Sequence, residues 1–283
     1  MTDARYERVD DVPDAAHDAL RELMYRLADD EYVLAERDIE WQIYAPTLES
    51  DLALANIAQD EFGHARLWYD LAQETGLTEA DCLWEKPAEA WRHSTLVELP
   101  YEEGDWADPI LRGYLYDTAE RLRVEALAGS SLDPVVDRVD KILEEESYHL
   151  EHAQSWLERL TLGGGADAGT EDSHQRVQDT LDRLFPYALT LFEAGPNEAE
   201  ILRYGFRSES LGDLRTEWLE TVIPYLESLN LRVPEPTDAG MAEAVGRDGE
   251  HTEHWAPLLE EFTHTYREFD FDHPVRLREE EAG

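Results

Sequence analysis

In four stretches of this sequence the 3-4 spacing of an amphipathic helix is interrupted in mid-stripe by carboxylates and histidines, and no other feature limits the fold as strongly. The first stripe is Leu20, Met24, Leu27, Glu31, Leu34, Asp38 and Trp41. The second is Leu54, Ile57, Glu61, His64, Trp68 and Leu71. The third is Ile110, Tyr114, Asp117, Arg121 and Val124. The fourth is Val135, Val139, Ile142, Glu146, His149, Ala153 and Trp156. A buried carboxylate without a partner is prohibitively costly, so these helices must converge and either neutralise one another or hold cations between them.

The interruptions repeat. Glu31 stands 30 residues before Glu61, Asp117 stands 29 before Glu146, and the two halves are offset by 85. Each half supplies one carboxylate and then a Glu-x-x-His pair, whose i, i+3 spacing points both side chains the same way. Four carboxylates and two imidazoles converging from four helices are the ligand set of a dinuclear iron or manganese centre in a ferritin-like bundle. Carboxylates can bridge two cations there and leave positions free for dioxygen or water. The candidate ligands are Glu31, Glu61, His64, Asp117, Glu146 and His149, holding two Fe or two Mn. Glu120 lies near the same helix face and is the alternative to Asp117, which the spacing to Glu146 favours. The rival reading is a metal-free buried salt-bridge network with Asp38 and Arg121 as members.

Other matches weaken on inspection. Glu171/His174 sits where an acidic residue caps a helix start, and Glu261/His264 has no matching upstream carboxylate. His251-Thr-Glu-His254 reads as polar packing at a helix start rather than ligation. Trp68, Tyr114 and Tyr148 are expected either to keep water from the centre or simply to fill the core.

Helices are expected over 15–44, 48–75, 108–129 and 133–162, making a core of residues 13–162. The roughly 30 residues between the second and third, 77–106, are too many for a turn between antiparallel neighbours and imply a long crossover. Further helices over 171–193, 211–229 and 251–267 should pack on the same domain within 163–275, with a loop at 232–240 and a frayed tail at 276–283. Strand alternation is weak. The fold class is therefore all-α, a ferritin-like four-helix bundle with a long crossover and additional C-terminal helices.

Charge narrows the partners. With 24 basic against 66 acidic residues the formal charge is −42, and the only lysines are Lys86 and Lys141, so the chain repels nucleic acid. Eight Trp and thirteen Tyr within a 42% hydrophobic composition still supply a core. Cys82 alone can form neither a disulfide framework nor a thiolate zinc site, so any metal must sit on Asp, Glu and His. No run of 18 apolar residues and no apolar leader occurs, which predicts a cytoplasmic protein with no membrane association. Such a surface is best tolerated at molar ionic strength, which points to a halophilic cell.

The run Asp51-Leu-Ala-Leu-Ala-Asn-Ile-Ala-Gln-Asp-Glu-Phe-Gly-His-Ala-Arg66, the run Glu144-Glu-Glu-Ser-Tyr-His149 with Trp156-Leu-Glu-Arg-Leu160, and His251-Thr-Glu-His-Trp-Ala-Pro-Leu-Leu259 resemble the C-subunit family of the bacterial multicomponent phenylacetyl-CoA epoxidases. The resemblance extends over roughly residues 18 to 268. It implies a ferritin-like subunit in aerobic phenylacetate catabolism, partnered by a homologous catalytic A subunit, a small B subunit and a reductase component. The A subunit epoxidises the ring of phenylacetyl-CoA with dioxygen and reductant at a di-iron centre. In that family the C subunits have largely lost the metal ligands of the A subunit, whereas this chain keeps all six candidates. It is then either a C subunit that still binds metal or an active oxygenase subunit with C-like outer helices. A non-catalytic scaffold and an iron- or peroxide-handling ferritin-like protein are the alternatives. Leu184, Phe185, Tyr187, Leu191 and Phe192 offer a docking face for the partner, unless they complete this chain's own core.

Overall fold

A computed structural model describes residues 5–101, 106–163 and 171–268, and among these the regular elements are all helices. One isolated parallel bridge joins Tyr6 to Leu132. The elements run α1 His17–Gln42, α2 Leu48–Gln73, α3 Thr95–Glu98, α4 Ala107–Glu125, α5 Asp133–Leu162, α6 Glu171–Ala188, α7 Glu198–Tyr204, α8 Leu211–Ser228 and α9 Trp255–Glu268. Their ends follow local chemistry. Thr47 caps α2 by accepting the Ser50 amide, and Ser210 caps α8 by accepting the Asp213 amide. Pro134 sits in the first turn of α5, and that helix stops at Gly163, whose φ of 79° few side chains tolerate.

Helix α1 packs along α2, α4 along α5, and α2 meets α5, which closes a four-helix bundle. The crossover between α2 and α4 holds a π turn at Ala80–Trp84, a 3-10 turn at Ala88–Ala90 and the single turn of α3. Buried polar contacts pin it to α1: Lys86 lies 2.7 Å from Asp29, the Ser94 amide donates to Asp30 at 2.6 Å, and Arg37 donates to the Glu98 carbonyl. The later helices cover α4 from outside, α6 resting on α4 and α5 and α8 on α4.

Several expectations change. Neither α3 nor α7 was foreseen, because one or two turns are too short to set up a periodic stripe. The expected helix over 171–193 becomes α6 followed by a 3-10 turn, Leu189–Phe192. Arg121 is exposed and pairs with Glu125 at 2.9 Å, so it belongs to no buried network. Leu184, Phe185, Leu191 and Phe192 are buried and Tyr187 half-buried, so this expected docking face is the chain's own core. Exposed large apolar side chains gather instead where α1 turns into α2: Ile39, Ile43, Tyr44, Leu48 and Leu52. The tail at 276–283 lies outside the described residues. No helix among those described is long and apolar enough to cross a membrane.

Candidate metal centre

The stripes meet at one point. Glu31 comes from α1, Glu61 and His64 from α2, Asp117 from α4, and Glu146 and His149 from α5, and all six are buried. Potential ligand atoms of Glu31, Glu61 and His64 lie within 4.8 Å of one another, and so do those of Glu61, Asp117 and His149. Glu61 is common to both groups. Glu146 lies between the histidines, with Oε1 3.6 Å from His64 Nδ1 and 3.3 Å from His149 Nδ1. The two rings are 6.3 Å apart.

A reciprocal pair of contacts orients these rings. His64 on α2 donates from Nε2 to Glu145 on α5 at 2.9 Å, while His149 on α5 faces Asp60 on α2, Nε2 to Oδ2, at 3.4 Å. An outer carboxylate at Nε2 is the arrangement in which a histidine ligates a metal through Nδ1; in metal-free protein, burial would lower the pKa of His149, but contacts with Asp60, Glu146 and Glu61 outweigh burial and raise it. The sequence reading missed Asp60 and Glu145, although each stands directly before its Glu-x-x-His, in Asp60-Glu61 and Glu145-Glu146. That doubled acidic residue was the available signal.

The inward-facing atoms lack partners. Both carboxylate oxygens of Glu31, Glu61 and Glu146, and Nδ1 of both histidines, are buried without a hydrogen bond among the described residues. The nearby buried guanidiniums are already engaged, Arg123 with Asp30 and Glu120, and Arg112 with Asp108. Four buried carboxylates facing two histidines, with these guanidiniums committed elsewhere, fit two divalent cations better than a salt-bridge network. For the third-helix ligand, Asp117 joins a ligand group, whereas one oxygen of Glu120 is taken by Arg123. Glu120 still raises the neighbouring Glu31 carboxyl, after burial and Glu61.

Protons gather where metal would sit. Burial raises Glu31, Asp117 and Glu146, Asp117 also through Glu146. Burial would raise Glu61 too, but its contacts with Glu31 and His149 hold it low. Burial pushes Asp38 up to about 7, against a hydrogen bond from the Tyr101 hydroxyl. A carboxyl raised in the fold contributes stability that is full below its unfolded value and is lost as pH rises through its folded value. For Asp38 that window runs from 3.8 to about 7. In metal-free protein Asp38→Asn should therefore gain stability relative to the parent as pH rises across it, measured by denaturant midpoints. A difference that is constant or narrows would contradict the burial argument.

The aromatic candidates divide. Trp68 and Tyr114 are core residues, the Tyr114 ring lying 4.7 Å from that of Tyr225. Tyr148 adjoins His149 but is 47% exposed, so it borders an open groove rather than sealing the centre. Of the remaining pairs, Glu261 and His264 are exposed.

A second grouping lies apart. His93 and His251 stack at 4.5 Å and both contact Glu98 Oε2, at 2.7 and 2.8 Å, while the Thr252 amide donates to Oε1 at 2.6 Å. One nitrogen of each ring converges on Glu98 Oε2, a three-residue grouping of the kind that can hold a metal ion, and here the cluster clamps the approach to α9 onto the crossover. Gly246 closes over it, where a Cβ would lie 2.4 Å from the His93 carbonyl.

The family model described as "Phenylacetic acid catabolic protein" matches residues 1–271. The chain is 33% identical over 245 residues to the C subunit of 1,2-phenylacetyl-CoA epoxidase from Escherichia coli K12, covering 86% of this chain and 94% of that one. It is 28% identical over 234 residues to the A subunit of the same epoxidase, covering 81% and 73% respectively.

Proposed function

The chain belongs to the phenylacetic acid catabolic protein family, and from that premise we propose that it is a subunit of a phenylacetyl-CoA epoxidase in aerobic phenylacetate catabolism, carrying a dinuclear carboxylate centre of its own. The carrying observation is the convergence of six buried ligand-type side chains, five of which have inward atoms without a hydrogen-bond partner among the described residues. Two bound iron ions would supply the activation of dioxygen needed for ring epoxidation.

The chain's own residues do the rest. Glu31, Glu61 and His64 would hold one cation, and Glu61, Asp117 and His149 the other, with Glu146 beside both histidines. Asp60 and Glu145 keep the ring protons on the outer nitrogens. Asp38, with a carboxyl near neutrality and Tyr101 donating to it, can hold or release a proton beside Glu61 and Asp117. A groove of about 500 Å³, lined by residues that include Thr47, Ser50, Tyr148, His152 and Arg159, runs along α5, with the Tyr148 ring 6.2 Å from that of the buried His149, and offers an aromatic thioester a surface to dock on. The exposed apolar side chains at the α1–α2 turn suit pairing with a homologous catalytic partner of the A type, joined by a small B subunit and a reductase component.

The second reading, a scaffold whose polar core only sets helix register, is favoured by the higher identity to the C subunit than to the A subunit of the Escherichia coli epoxidase. Co-expression with the homologous A subunit from the same source separates them. The complex should oxidise phenylacetyl-CoA with dioxygen and an electron donor, and Glu61→Ala in this chain alone should lower turnover about tenfold or more. Unchanged turnover would assign the scaffold role. We place the protein in a salt-rich cytoplasm, since at a charge of −42 its thermal midpoint should climb steeply from millimolar to molar KCl. A flat salt response would overturn the halophilic assignment.

A further inference from the structure

Four of the chain's few basic residues surround one small internal cavity. It measures about 20 Å³ and is lined by five leucines together with Arg26, Arg123, Arg207 and Arg247. None of these arginines is more than 5% exposed. In a chain with 24 basic and 66 acidic residues, such a gathering calls for a cause.

Hydrogen-bond accounting supplies one. A guanidinium has five donors and no acceptor. Arg26 donates from Nη1 to the Glu193 carbonyl at 2.6 Å, and Arg207 donates to the Glu209 carbonyl and to Glu198. Arg123 donates to Asp30, Glu120 and the Tyr116 hydroxyl. Arg247 uses both terminal nitrogens, on Asp30 and on the carbonyls of Arg26, Arg92 and Leu191. Left over are Nη2 of Arg26, Nε of Arg123 and Nε of Arg247, all buried and without a hydrogen-bonded acceptor among the described residues, while Arg26 Nε lies 3.2 Å from Glu22 Oε1.

The carboxylates facing these arginines do not enter the cavity. Glu22 pairs with Arg26 at 3.2 Å from within α1, Asp30 and Glu120 hold Arg123, and Glu198 holds Arg207. Four acids balance four bases, and of their oxygens Glu22 Oε1, beside Arg26 Nε, and Glu120 Oε1, whose carboxylate also faces Glu31, accept no hydrogen bond among the described residues, so the three free donors still outnumber the open acceptors near them. Like charges also face one another: Arg26 is pushed down to about 10, first by burial and next by Arg247. A water molecule accepts from two donors but must place its own two hydrogens against leucine methyls, whereas a halide accepts from every side and donates nothing. The cavity has room for about one such particle.

We propose that this cavity binds a single small monovalent anion of chloride's size, held by Arg26, Arg123 and Arg247 between α1, α4 and the segment preceding α9. Through Arg123 the site adjoins Glu120 and hence the wall of the carboxylate centre, yet it shares no ligand with that centre, and it does not depend on the proposed enzymatic role.

Bromide tests it directly. Crystals of the full chain grown with bromide replacing chloride, measured at the bromine edge, should give an anomalous peak in the cavity about 3.3 Å from the free arginine nitrogens. Arg26→Gln should reduce that peak to less than half. Surface peaks alone, or a water or nothing in the cavity, would overturn the proposal. A solution measurement covers the case in which the variant does not fold. At constant ionic strength the thermal midpoint of the parent should rise as chloride replaces isethionate, which is too large for the cavity. No rise would count equally against it.

Discussion

Purified from its native host, the protein should carry about two iron or manganese ions per chain, and Glu61→Ala should retain almost none. Glu61 is the decisive position because it belongs to both ligand groups, so its loss leaves each half one donor short. Metal content by elemental analysis, with circular dichroism to verify the fold, checks this. Glu145→Gln is the graded companion: it keeps every proposed ligand and removes only the acceptor of the His64 Nε2 proton. Losing such an outer partner costs about 10- to 100-fold in metal affinity. Full occupancy in Glu61→Ala would remove the dinuclear assignment, and parent-like affinity in Glu145→Gln would remove the orienting role of the outer carboxylates.

The ligands were legible because each lies on the apolar stripe of its own helix, and a stripe is a local property. Glu31, Glu61, His64, Asp117, Glu146 and His149 all interrupt such stripes, and the structure buries every one of them. What the sequence concealed depends on which helix faces which. Asp60 and Glu145 look like ordinary exposed-face acids until α2 and α5 are set side by side, when each meets the other helix's histidine. Likewise His93, Glu98 and His251 are separated by up to 158 residues and carry no shared pattern. Arg121 and Tyr148 fail for the opposite reason. Each falls near a stripe by spacing, but long polar-tipped side chains at a stripe's edge reach water at little cost.

Asp29, Asp30 and Glu31 condense this lesson into three consecutive residues. They are about 100° apart around α1, so each serves a different neighbour. Asp29 holds Lys86 and the Arg92 amide of the crossover, and Glu31 faces the carboxylate centre. Asp30 accepts from the Ser94 amide at 2.6 Å, from Arg123 at 2.5 Å and from Arg247 at 2.6 Å, all out of contact with water. Burial would push its carboxyl up, but Arg247 and Arg123 outweigh burial and hold it below 3.8. Asp30→Asn preserves shape while leaving two buried guanidiniums short of a counter-charge, which should cost about 3–5 kcal/mol at neutral pH. Because the folded value is depressed, the contribution of Asp30 is full above the unfolded value and declines as pH falls through the folded one. The gap between parent and variant should therefore narrow in acid. Denaturant midpoints at pH 7 and pH 3 measure both parts, and a neutral substitution at pH 7 would mean that Arg123 and Arg247 are neutralised by Glu120 and backbone carbonyls alone.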